Sequence, residues 1–119
     1  TPYGALCLNT ALPEGIALAF KKLCDLTDIS CTVVSGSLDG NEHFWNIVRL
    51  SNKYYQLDVC SALFSPAPEK IVYLLSDDAM PEGYSWEAGK YPACADDQTV
   101  FTLPASATPP LTESPSPAQ

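Results

Sequence analysis

Two runs rich in aromatic and β-branched residues, "HFWNIVRL" at 43–50 and "KYYQLDVC" at 53–60, are separated only by Ser51 and Asn52. Residues of these types favour strands. A two-residue connection between two such runs leaves an antiparallel hairpin as the outcome, and Asn tolerates the left-handed backbone that so tight a turn requires. With Ser51 and Asn52 as the turn, Leu50 pairs with Lys53, Trp45 lies opposite Asp58, and His43 lies opposite Cys60. Side chains along a strand alternate between faces, so His43, Trp45, Asp58 and Cys60 share one face. Asp58 is then a diagonal neighbour of His43, roughly 7–8 Å away by backbone and within side-chain reach. A carboxylate beside an imidazole fixes its tautomer and supports the imidazolium. The same spacing also accommodates a surface aspartate and a strand-end histidine with no mutual role.

Upstream of the hairpin, residues 13–26 carry a helical pattern. Ile16, Phe20, Leu23 and Cys24, with Ala17 and Ala19, form an apolar stripe, while Lys21 and Lys22 fall on the wet side. Pro13 suits the first helical position, where its missing N–H costs nothing, and Glu14 suits the positive end of the helix dipole. "CTVVSG" at 31–36 reads as a β-branched strand stopped by Gly36, and "SLDGNE" as a turn-rich connection. "SALFSPAPE" reads as a loop. "KIVYLLS" at 70–76 is a short strand or a helical turn, and its periodicity does not choose between them. The stretch from Asp77 to Asp97 reads as irregular with aromatic anchors. Together these elements predict an α+β fold, with one helix packed on an antiparallel sheet.

The chain has 119 residues, which is enough for one domain. Residues 1–100 make up that domain. Residues 101–119 form a tail whose composition changes at Pro104, where "PASATPPLTESPSPAQ" holds a single bulky apolar residue and is expected to be disordered. No repeat is present. A net charge of −8 with only six Lys and Arg excludes the clustered basic residues that nucleic acid or an anionic membrane would need, and no apolar run is long enough to span a bilayer. The five cysteines are Cys7, Cys24, Cys31, Cys60 and Cys94. The odd count leaves at least one thiol free or paired between chains. No CxxC or His/Cys cluster at zinc spacing occurs, so no metal or other cofactor is expected. No signal peptide is visible at Thr1, and "TPYGALC" reads as a cut inside a longer precursor.

The hairpin residues carry a family likeness. "HFWN" (His43 to Asn46) and "YYQLD" (Tyr54 to Asp58), with "YGAL", "VVSG", "YLLSDDAM" and "YPAC" around them, resemble the bacterial transglutaminase-like domains of the papain-like cysteine-enzyme superfamily. The likeness covers roughly residues 3–96. It implies a Cys–His–Asp triad whose thiol opens the helix, where the dipole lowers its pKa. Aligning "PEGIALAF" on the family's nucleophile segment puts Pro13 at the cysteine position, while His43 and Asp58 carry over as histidine and aspartate. Trp45 and Asn46 carry over as residues that brace the site. After the aspartate the family has Thr–Trp, where this chain has Cys60 and Ser61. A later family histidine is replaced by Tyr84, and the family's preceding helical portion is absent. The resemblance therefore implies a catalytically inactive module of an exported or cell-surface bacterial protein, binding a peptide or cell-wall component or acting as a scaffold. The rival reading is a cysteine-dependent acyl transferase or peptidase using a displaced thiol, Cys60, with His43 and Asp58. The oligomeric state is not indicated.

Overall fold

The computed structural model describes residues 11–97. The expected tail at 101–119, "YGAL" and Cys7 lie outside those residues. The elements run α1 (Ala11–Leu26), β1 (Cys31–Leu38), β2 (Asn41–Leu50), β3 (Lys53–Leu57), α2 (Val59–Phe64), β4 (Tyr73–Leu75) and β5 (Tyr84–Ser85), with single 3-10 turns at Pro68–Lys70, Asp77–Ala79 and Ala88–Lys90. The strands form one antiparallel sheet in the order β4-β3-β2-β1-β5, with α1 packed on it, so the α+β expectation is met.

The central hairpin has the register its turn dictates. Ser51 and Asn52 both adopt positive φ, at 53° and 67°, and the ladder runs from Leu50 with Lys53 to Asn46 with Leu57. Positive φ at both central residues is the geometry whose twist matches the strands. The β1–β2 connection repeats the device. Asp39 (φ 53°) and Gly40 (φ 84°) form the turn, and Leu38 pairs with Asn41. The strands therefore run into the segment expected to be a loop. Gly36 does not stop β1. It sits inside the strand opposite His43, and a Cβ there would stand 2.6 Å from the Trp45 ring and collide with the Ser85 carbonyl. Gly36 is the gap over which Trp45 lies and β5 approaches.

The expected third strand at 53–60 ends early, at Leu57. Asp58 instead caps α2, accepting the Ser61 N–H on its side chain at 3.2 Å, and Cys60 lies in that helix. Asp is among the strongest helix N-caps, and here capping outcompetes continued pairing. The proposed Trp45–Asp58 and His43–Cys60 ladder pairs are thus not formed, and "SALF" is helix. The ambiguity at 70–76 resolves as a 3-10 turn ending at Lys70 followed by the short strand β4.

In α1, Pro13 is at least the third helical residue, which is still within the turn whose N–H groups have no intrahelical partner. The inward face is Pro13, Ala17, Phe20 and Cys24. Leu23 is 59% exposed and Ala19 is also exposed, so the stripe is narrower than the periodicity indicated. Phe20 and Cys24 meet Cys31, Val48, Tyr55, Leu57 and Leu74 in one apolar cluster on the helix side of the sheet. Val34, Trp45, Ile47 and Cys94 form a second cluster, with Tyr54, Met80, Tyr84, Trp86 and Tyr91 packed against it. Trp45 and Ile47 alternate with Asn46 and Val48 along β2, so the two clusters lie on opposite faces.

Candidate functional site

His43 enters the second face from the start of β2 and is fully buried. Its Nε2 lies 2.8 Å from Asp58 Oδ2, and Asp58 is 1% exposed. The contact arises from the chain on the far side of the ladder, where Asp58 has left β3 and is held by the start of α2. Tyr84 Oη donates to the same Oδ2 at 2.6 Å, and the Ser61 N–H supplies Oδ1. The Asp58 N–H donates to the Val72 carbonyl, while Ser61 Oγ donates to the Asp58 carbonyl and accepts from the Val72 N–H. The Asp58 carboxyl thus accepts from the Tyr84 hydroxyl and the Ser61 N–H while its Oδ2 also meets the His43 ring. With Nε2 against Asp58, the remaining ring nitrogen of His43 is Nδ1. That atom is buried and has no hydrogen-bond partner among the described residues.

An aromatic box encloses the imidazole. The His43 and Trp45 ring centroids are 6.0 Å apart, those of His43 and Tyr84 are 6.1 Å apart, and Trp45 meets Tyr84 and Trp86 edge-on at 5.2 and 6.0 Å. These are favourable aromatic geometries. The indole N–H of Trp45 donates to Gln56 Oε1 at 2.7 Å. Gln56 Nε2 donates to Asp77 Oδ1 at 2.8 Å, and Asp77 Oδ2 accepts the Cys94 N–H. The polar groups of this face thus continue from the site into the loops at 77–97.

Asn46 lies apart from this constellation. Facing the helix, its Nδ2 donates to the Ala17 carbonyl at 3.1 Å and reaches the Thr32 carbonyl at 3.4 Å, tying α1 to the sheet. Pro13 is buried in the first turn of α1, on the same inward stripe as Ala17. Cys60 is 1% exposed on α2. Burial is the leading cause that pushes Cys31 and Cys94 up to about 12, with Cys24 and Asp77, respectively, adding to it. No group of three or more His, Cys, Asp or Glu is placed to hold a metal among the described residues.

An open apolar cavity of about 360 Å³ lies on the helix face, between α1, α2 and β4. Phe20, Val48, Leu57, Val59 and Tyr73 are in its wall, and neither His43 nor Asp58 is.

Sequence reasoning missed Gln56 and Asp77, and it saw Ser61 and Tyr84 only as departures. The Asp58 cap was legible, since an aspartate followed by "VCSALF" has the form of a helix start. Tyr84 is 26 residues from Asp58 and gave no local signal.

No protein-family model matches the chain, and no curated protein matches it.

Proposed function

We propose that this chain is a catalytically inactive module of transglutaminase-like ancestry, kept as a binding or scaffold domain of an exported or cell-surface bacterial protein. The observation that carries this reading is the buried His43–Asp58 pair at 2.8 Å, whose second ring nitrogen has no partner among the described residues, while Pro13 stands in the first turn of α1. In a Cys–His–Asp arrangement the ring nitrogen facing away from the carboxylate takes the proton of the thiol. Here the carboxylate and imidazole remain and proline has nothing to donate. Both groups are sealed from solvent, so in this reading they brace β2 against α2 and β5. The apolar cavity on the helix face favours a peptide with apolar side chains over a sugar polymer as the bound partner, because a dry wall offers hydroxyl groups no hydrogen bonds. The Cys60 alternative would require a thiol that is 1% exposed to reach an acyl donor.

The wild-type chain is expected to incorporate no fluorescent amine into a glutamine-containing protein and to hydrolyse no peptide. Turnover abolished by His43→Ala would overturn the inactive reading, and Cys60→Ser would then test the displaced thiol. The ancestry is tested by Pro13→Cys. Its thiol should gain thiolate character from the helix start and His43, so iodoacetamide near neutral pH should alkylate it faster than the native cysteines, and His43→Ala should slow that reaction. A thiol no faster than the others and indifferent to His43 would remove Pro13 from the nucleophile position.

A further inference from the structure

Cys24 and Cys31 belong to the same buried cluster on the helix face, and the neighbouring Cys24 adds to the burial that raises the Cys31 thiol. The turn between them is fixed. The N–H groups of Thr27 and Ile29 both bond the Cys24 carbonyl, at 3.0 and 2.9 Å, and Asp28 holds a left-handed conformation with φ 61°. This closure brings the first residue of β1 back beneath the last turns of α1. Cys24 is 3% exposed, yet it forms part of the wall of the open apolar cavity. A small uncharged molecule entering that cavity reaches one thiol of a pair.

We propose that Cys24 and Cys31 form an oxidisable pair that closes to a disulfide by exchange with a small uncharged disulfide admitted through the apolar cavity. The Cys24 thiol loses its proton, and the thiolate attacks one sulfur of the reagent. That S–S bond breaks and half of the reagent leaves as a thiolate. The Cys31 thiolate then attacks the sulfur of Cys24 in the mixed disulfide, and the second half leaves. The two leaving thiolates take up the two protons, so two protein thiols are oxidised by two electrons and one disulfide is reduced to two thiols. The two buried sulfurs must close to about 2.05 Å, and the turn fixed between them limits the motion this requires. Burial holds Cys31 at about 12, so exchange is slow near neutrality. Below the thiol pKa its rate should rise about tenfold per pH unit with the thiolate fraction.

The distribution of basic residues makes the test direct. Cleavage after Lys and Arg leaves both Cys24 and Cys31 in the peptide 23–49, while Cys7, Cys60 and Cys94 fall in three other peptides. The full chain is incubated with the disulfide of 2-mercaptoethanol, quenched with iodoacetamide, digested and weighed. The expected result is a peptide 23–49 lighter by two hydrogens and carrying no alkyl group, with the Cys60 and Cys94 peptides fully alkylated. Cys31→Ser should trap the reagent as an adduct on Cys24. Cross-linking of 23–49 to another peptide, a stable adduct on the wild-type peptide without closure, or double alkylation of it at every pH would each overturn the proposal. The wild-type peptide mass decides the matter even if a variant does not fold.

Discussion

The two faces of the sheet are built on different principles. On the helix side, Cys24, Val48, Tyr55, Leu57 and Leu74 cohere by burial, and an open cavity of about 360 Å³ persists beside them. On the opposite side, His43, Trp45, Gln56, Asp58, Asp77 and Tyr84 are joined by directed hydrogen bonds of 2.6 to 2.8 Å. Non-directional packing loses dispersion contacts in proportion to the missing volume, so it tolerates a gap. A buried polar network does not, because removing one member leaves the others desolvated and unpaired. The polar face therefore cannot be altered one residue at a time without cost, whether or not any chemistry remains there. This gives a physical reason for the His43–Asp58 pair to be kept for its packing alone.

The comparison breaks most visibly at Asp58. Asp58→Ala leaves His43 Nε2, the Tyr84 hydroxyl and the Ser61 N–H without their acceptor, and it removes the cap of α2. The expected loss is about 3–5 kcal/mol in urea unfolding. A loss below about 1 kcal/mol would mean the network is ornamental. Leu57→Ala, on the helix face, is expected to cost about 2–3 kcal/mol, the low end for such truncations, because its side chain already borders a cavity. If it costs more than Asp58→Ala, the ranking of the two faces is reversed. Tyr84→Phe keeps the ring against Trp45 and deletes one donor to the carboxylate, so about 1.5–2 kcal/mol should be lost with an unchanged near-ultraviolet spectrum. The smallest effect samples both faces through their thiols. The folded-state pKa values of Cys31 and Cys94 are raised to about 12, so their contribution to stability is complete below the ordinary thiol range. It is lost as pH rises from about 9 toward 12, since the unfolded chain ionises first. At about pH 10 the loss should be on the order of 1 kcal/mol per thiol. Cys94→Ala should flatten that decline by one thiol, and an equally steep decline in the variant would assign the alkaline loss to other groups.

The candidate site was partly legible in advance. Placing His43, Trp45 and Asp58 on one face followed from the two-residue turn and the period of two, and the ladder from Asn46 to Leu57 has that register. The His43–Asp58 contact is real, but it does not arise from a continuous ladder, because Asp58 is a helix cap. The closeness of "HFWNIVRL" to "YYQLDV" in sequence determined the pairing, since a tight turn leaves antiparallel strands only one register.

The strand at 31–36 and the helix at 13–26 were also determined locally, by β-branched residues and by apolar spacing, although their limits shifted by a few residues. Only the tertiary structure decided that Asn46 would bind α1 while its neighbour Trp45 packed tilted beside His43, that Leu23 would face outward, and that Tyr84 would reach Asp58. The physical reason is one of range. Turn geometry and side-chain periodicity act over a few residues and are written in the chain. Which buried donor meets which acceptor depends on how the two faces are covered, and that is decided when α1 and the loops at 77–97 close over the sheet.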